Sequence, residues 1–285
     1  MKSHLAPSHS GARPAADALI VFEDSSTWMP KLNTFLRGRL KKGHLDRWHA
    51  HDFSNLYDDD SEWTDILAGE LKDGLERIEA DLADWLSAKV VRLVHGCRPV
   101  SLASYMQHGI RAYVPCTFQK TLEEWLMKKG VAPHRHAIMD RAESLSDRGD
   151  DPSVFLALDE RDLLRRSGHY VVYGSEWLTS VLGSSCRGLL KRVGVPTLLY
   201  VKWPLASASQ AERLQFSRRL LREWIRLTCL SAAAPSFADF TFVAAGGVSA
   251  GLIQGHWHPS AIVDPLEGFR RYRNRRRECD VCRIA

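Results

Sequence analysis

Two stretches of this chain gather residues that could do chemistry. One is Tyr173-Gly174-Ser175-Glu176-Trp177, where an apolar run, His169 to Tyr173, gives way to a hydroxyl and a carboxylate. The other is His95-Gly96 with Arg98 two residues on, at the end of the apolar run Val90–Val94. A carboxylate in a dry cleft can stabilise a developing cation or take a proton. A neutral imidazole can hold a hydroxyl without adding charge. Each residue also has a structural reading. Ser175 is a good helix N-cap, Glu176 suits the first turn of a helix, and Gly174 supplies the turn between them.

A third set is His256, His258, Cys279 and Cys282, all of them zinc-ligand types. The two pairs lie about 20 residues apart, but His-x-His with Cys-x-x-Cys fits no standard finger. A proline-containing loop and two free thiols are the simpler explanation, so the sequence assigns no metal. His134 and His136 read as the solvated start of a helix. There is no glycine-rich phosphate loop ending in Lys-Ser/Thr, no Gly-x-Ser-x-Gly elbow and no His-Glu-x-x-His, which disfavours the corresponding nucleotide and hydrolase chemistries.

The elements that must position these residues follow from periodicity. Residues 89–96 read as a strand delivering His95-Gly96, and residues 101–110 as a short helix closed by Gly109. Residues 153–159, 169–173, 197–205, 240–245 and 260–265 read as further strands, and 121–130 and 209–230 as helices. Residues 145–152 read as a polar loop. Trp63, Leu67, Leu71, Leu75, Ile78, Leu82 and Trp85 recur at spacings of three and four, predicting one helix of about 25 residues. Asp59 is its expected N-cap with Glu62 at N3. A basic helix from Pro30 to Lys42, stopped by Gly43, precedes it. Residues 18–24 read as a short strand or apolar plug. Strands and helices mix without strict alternation, which points to an α+β fold.

At 285 residues, 45% hydrophobic and 26% charged, the chain can bury a substantial core. Its formal net charge of +5 is mild. Charge is unevenly placed, acidic over 56–86 and arginine-rich over 270–277, where either an anionic partner or a solvated surface is implied. Six scattered cysteines form no disulfide framework, and no apolar run is long enough for a membrane span. A reducing cytoplasm and no membrane contact are therefore expected.

The stretch 91–111, a strand ending in His-Gly followed by a short helix ending in Gly-Ile, resembles the first motif of the ADP-ribosyltransferase fold. The likeness is to the poly(ADP-ribose) polymerases and the DNA-targeting ADP-ribosyltransferase toxins. Tyr173, Glu176 and Trp177 resemble that family's Tyr and Glu-aromatic pair, with one more residue between Tyr and Glu. The resemblance implies a split β-sheet core over 89–269, while composition and periodicity give a disordered 1–17, an N-terminal helical extension over 18–88 and a basic tail over 270–285. It implies NAD as substrate and transfer of ADP-ribose to a nucleic acid or protein, in a toxin or phage-defence setting. By the same resemblance His95 bonds the nicotinamide ribose, the Gly96 backbone bonds the nicotinamide amide, and Arg98 can reach a phosphate. The same resemblance makes Glu176 the expected catalytic carboxylate, on or just beyond a late strand. Tyr173 and Ser175 could instead line the nicotinamide pocket, with the acid coming from elsewhere. A catalytically silent binding module of the same fold is the alternative.

Overall fold

The computed structural model describes residues 19–112, 122, 124, 135–146, 153–275 and 278–283, except 52, 54 and 231. The expected helix at 121–130 apart from 122 and 124, the expected disorder of 1–17 and His134 lie outside them, as does the expected loop 145–152 from 147 on; residues 145 and 146 are instead the end of a helix. Among the described residues no helix is long and apolar enough to cross a membrane.

The fold is mixed, built on a mainly antiparallel six-stranded sheet. Its centre is β2 (Val90–Cys97), which is buried along most of its length, as a strand covered on both faces must be. On one edge β2 pairs throughout with β5 (Thr197–Pro204), from Val90↔Pro204 to Cys97↔Thr197. On the other edge β1 (Leu19–Ile20) runs parallel to the start of β2. Beyond it, β4 (Ser153–Ala157) meets β2 at the single pair Val94↔Ala157. β6 (Thr241–Ala245) continues outward from β4, and β8 (Ile253–Trp257) outward from β5. Apart from this sheet, β3 (Ile110–Arg111) pairs with β7 (Gly247–Val248).

Side chains alternate across the main sheet, and each face carries its own core. Val91, Leu93 and Cys97 join Leu199, Val201 and Trp203 in one, while Val94 and Leu198 join the other. The first core is covered by α3 (Glu62–Glu70), α4 (Leu75–Ser87) and α10 (Gln210–Cys229). α10 opens with a capping box in which Ser209 and Glu212 satisfy each other's backbone N–H. Residues 19–87 share this core with the sheet. The second core is covered by α6 (Arg135–Ser146), α8 (His169–Tyr173) and α9 (Glu176–Cys186), with a 3-10 turn at Arg187–Arg192.

Several sequence expectations are corrected. The long helix over 63–85 is two helices, because Leu71 pairs with Leu40 as an isolated bridge and Lys72 N–H donates to the Arg39 carbonyl at 2.9 Å. The apolar spacing persists because Trp63, Leu67, Leu71, Ile78 and Leu82 enter one core. α3 starts after Ser61, and Asp60 rather than Asp59 accepts the first-turn amide of Glu62, at 2.9 Å. The basic helix ends early, as α1 (Met29–Leu36), and Gly43 instead precedes α2 (His44–His49). Residues 169–173 are helical rather than extended. β9 (Ala261–Asp264) does not finish the main sheet but pairs with β10 (Arg270–Arg273) in a separate ribbon. The strands at 90–97, 153–157, 197–204 and 241–245 and the helices α5 (Leu102–His108) and α10 stand as expected.

Candidate functional site

Where β2 and β4 part after Val94, the gap opens into a cavity of about 1520 Å³. His95 and Gly96 line it from β2, Phe155 from β4, Tyr105 from α5, and Tyr170 and Glu176 from the opposite wall. His95 and Glu176 thus both line this cavity, although by the alternation along β2 the His95 side chain shares the face of Val91, Leu93 and Cys97, whereas Gly96 meets α8. The half-buried His95 imidazole reaches across the gap, its Nδ1 3.1 Å from the Phe155 carbonyl oxygen. A carbonyl can only accept, so Nδ1 carries the proton. Burial holds the imidazole below its ordinary pKa, against the opposing pull of that carbonyl bond. The ring is therefore neutral near pH 7, and Nε2 is left as an acceptor for a ligand hydroxyl or amide N–H.

Gly96 is dictated by packing as well. A Cβ there would lie 2.9 Å from Val171 Cγ2 and 3.3 Å from Leu163 Cδ2, so only glycine lets α8 lie this close to β2.

The 173–177 segment is a corner between two helices. Gly174 ends α8 with φ 88°. Ser175 caps α9, its Oγ accepting the Leu178 amide at 3.2 Å, as its structural reading expects. Glu176 is the first residue of α9, not of a strand, and its Oε2 accepts the Tyr170 hydroxyl at 2.7 Å. Burial, and then the Glu176 carboxylate, hold the Tyr170 phenol above its ordinary pKa, so it remains a donor to that carboxylate. A carboxylate at a helix N-terminus is also favoured by the helix dipole.

Arg98, Tyr173 and Ser175 line the same cavity, but the polar atoms of Arg98 and Tyr173 are engaged by the protein itself. Tyr173 is buried and donates to Asp264 Oδ2 at 2.8 Å, the carboxylate that Lys191 also meets at 3.0 Å. Arg98 donates through Nε to the Val193 carbonyl at 2.6 Å, through Nη1 to the Val172 carbonyl at 2.9 Å, and through Nη2 to the Lys191 carbonyl. Its guanidinium ties helix-end carbonyls together, so the reach to a phosphate expected of it is not made from this conformation.

The cavity wall also carries acids that the sequence reading passes over. Asp162, on α7 (Glu160–Arg165), and Asp239 both line it. Burial, and then Asp239, raise the Asp162 carboxyl above its ordinary value, against Arg166. In sequence, Asp162 reads only as an acidic first-turn residue of the helix after Asp159. Outside this cavity His256, His258, Cys279 and Cys282 converge, their ligand atoms all within 4.8 Å of one another. His136 lies exposed on α6. Compared with protein-family models, curated proteins and solved structures, the chain matches none of them.

Proposed function

We propose that this protein is an NAD-dependent ADP-ribosyltransferase acting on a nucleic acid or protein, with an ADP-ribosyltransferase-like split sheet as its core. The observation that carries the reading is that His95 and Glu176 line one cleft, at the place where β2 and β4 separate. The cleft exceeds the size usual for small-ligand pockets, which suits a dinucleotide with its acceptor. Nε2 of neutral His95 accepts from a ribose hydroxyl. The bond from the ribose anomeric carbon to the nicotinamide nitrogen breaks, nicotinamide leaves with the electron pair, and Glu176 stabilises the cationic ribose. The acceptor's nucleophile then bonds that carbon and gives up its proton to a carboxylate, Glu176 or Asp162.

A silent binding module is the second reading. It is favoured by the commitment of Arg98, Tyr173 and Ser175 to protein partners.

The test is release of nicotinamide from labelled NAD in the presence of candidate nucleic acids and proteins, alongside calorimetry. Glu176→Gln keeps the acceptor for Tyr170 and removes the charge, so transfer should fall by about 10²–10³ with NAD affinity little changed. His95→Ala should weaken NAD binding by roughly five-fold or more, the loss of one hydrogen bond. Absence of both NAD binding and turnover with every acceptor leaves the binding module. Near-normal turnover in Glu176→Gln removes that residue from the chemistry and turns attention to Asp162→Asn.

A further inference from the structure

We propose that His256, His258, Cys279 and Cys282 form a four-coordinate structural zinc site that pins the 279–282 turn to the sheet. The inference is independent of any reaction in the cleft.

The separations fit one metal ion. Cys279 and Cys282 Sγ are 3.5 Å apart. His256 Nε2 lies 3.1 Å from Cys282 Sγ and 3.7 Å from Cys279 Sγ. His258 Nε2 lies 3.6 Å from Cys282 Sγ. A tetrahedral ion with Zn–S of about 2.3 Å and Zn–N of about 2.0–2.1 Å requires ligand-to-ligand edges of about 3.3–3.8 Å. Of these four separations one falls slightly short and three lie in that range, and all six among the four ligand atoms lie within 4.8 Å. A set of two thiolates and two imidazoles in tetrahedral array selects zinc among common divalent ions. All four positions are filled by protein, which makes the site structural rather than catalytic.

Different elements deliver the two pairs. His256 stands on β8, and the pairing Leu199↔His256 fixes its place beside β5. His258 follows two residues on, as the period of an extended chain requires for ligands on one side. Cys279 and Cys282 flank a turn in which the Cys282 amide lies 3.4 Å from Cys279 Sγ.

The outer partners are in place too. His258 Nδ1 lies 3.2 Å from the Pro196 carbonyl and 3.1 Å from Thr197 Oγ1. The carbonyl must accept, so the proton sits on Nδ1 and the Nε2 lone pair faces the cluster. Between the cysteines, Asp280 accepts from Ser101 Oγ at 2.6 Å and from the Leu102 amide at 2.9 Å, holding the turn at the start of α5. His258 and Cys279 are buried.

Binding is charge-balanced. Zn²⁺ enters, the two thiols release two protons to solvent, and two thiolates with two neutral imidazoles leave a site of zero net charge.

The test is elemental analysis of the purified full chain, with Co²⁺ exchange as a second readout. About one zinc per chain is expected. Cys282→Ser and, separately, His256→Gln, both at the more open side of the cluster, should each lower zinc retention at least ten-fold against a chelator. The Co²⁺ form should show thiolate charge-transfer and tetrahedral d–d bands in the wild type that His256→Gln alters. Should the Cys variant fail to fold, thiol-reagent protection of the wild type decides: zinc should slow the reaction of two thiols per chain. The proposal is overturned by a zinc-incubated wild type that holds no metal and has two fully reactive thiols, or by zinc retained equally in both variants.

Discussion

His95 stands where a backbone ladder stops, and its Nδ1–H takes the place of a strand-to-strand bond to Phe155. The same burial that positions the ring depresses its pKa. Its folded value lies below the ordinary value of about 6.5, so between the two the unfolded chain binds more protons than the folded one. The stabilisation is therefore fully present above about pH 6.5 and is lost as pH falls through the depressed value. His95→Gln should flatten that part of the stability profile, read as the difference in urea midpoint between wild type and variant from pH 7.5 to 4.5. An identical slope in both proteins would show that His95 is not the titrating group. At this scale the sequence was only half legible. The His-Gly pair shows itself because an apolar run ends on it. Asp162 does not, because its shift comes from burial and then from Asp239, which lies far along the chain, and neither is written beside it in the sequence. Nor is it legible that Arg98 is consumed by carbonyls, since no local pattern says where five N–H donors will point.

The element that resisted reading was α8. His-Tyr-Val-Val-Tyr is rich in aromatic and β-branched residues, whose intrinsic bias is towards strands. The segment is only five residues long, and its buried Val171, Val172 and Tyr173 are consecutive, as happens when a short helix is enclosed on several sides. Tertiary packing against Gly96 outweighed local preference. The stop signal was legible: Gly174 then Ser175, a left-handed end and a cap. Gly174→Ala would place a Cβ 2.7 Å from the Arg98 Cβ and hold alanine at φ 88°. Left-handed backbone alone costs an L-residue about 1–2 kcal/mol, and the steric clash adds to it. A loss of about 2 kcal/mol or more in urea unfolding is expected, whereas an unchanged midpoint would mean that the corner shifts freely. β8 was hidden for another reason. Ile-Gln-Gly-His-Trp contains a glycine and polar side chains, and only its neighbour β5 makes it a strand.

Over the whole molecule the mixed α+β class and the alternating faces of the central sheet were legible, because hydrophobic period survives without knowledge of partners. The role of the segment after Phe269 was not. Its first four residues are β10, and Arg271, Arg273 and Arg275 line a shallow recess of about 600 Å³. Truncation there would remove a strand and the Cys pair along with the charge, so substitution is the cleaner probe. If the acceptor is a nucleic acid, changing these three arginines to glutamine should lower the log–log salt slope of duplex binding by about 0.9 for each phosphate they had neutralised. An unchanged slope leaves them as a solvated face. The Asp280–Ser101 hydrogen bond carries a consequence of another kind, in time. It joins positions 179 residues apart, so when α5 leaves the ribosome the carboxylate that will serve its first turn does not yet exist. Pairings of such separation are made only after the intervening chain has organised. The helix whose Tyr105 lines the cleft is therefore expected to be secured late, so Asp280→Asn should speed unfolding more than it slows folding, read from the two arms of a urea chevron.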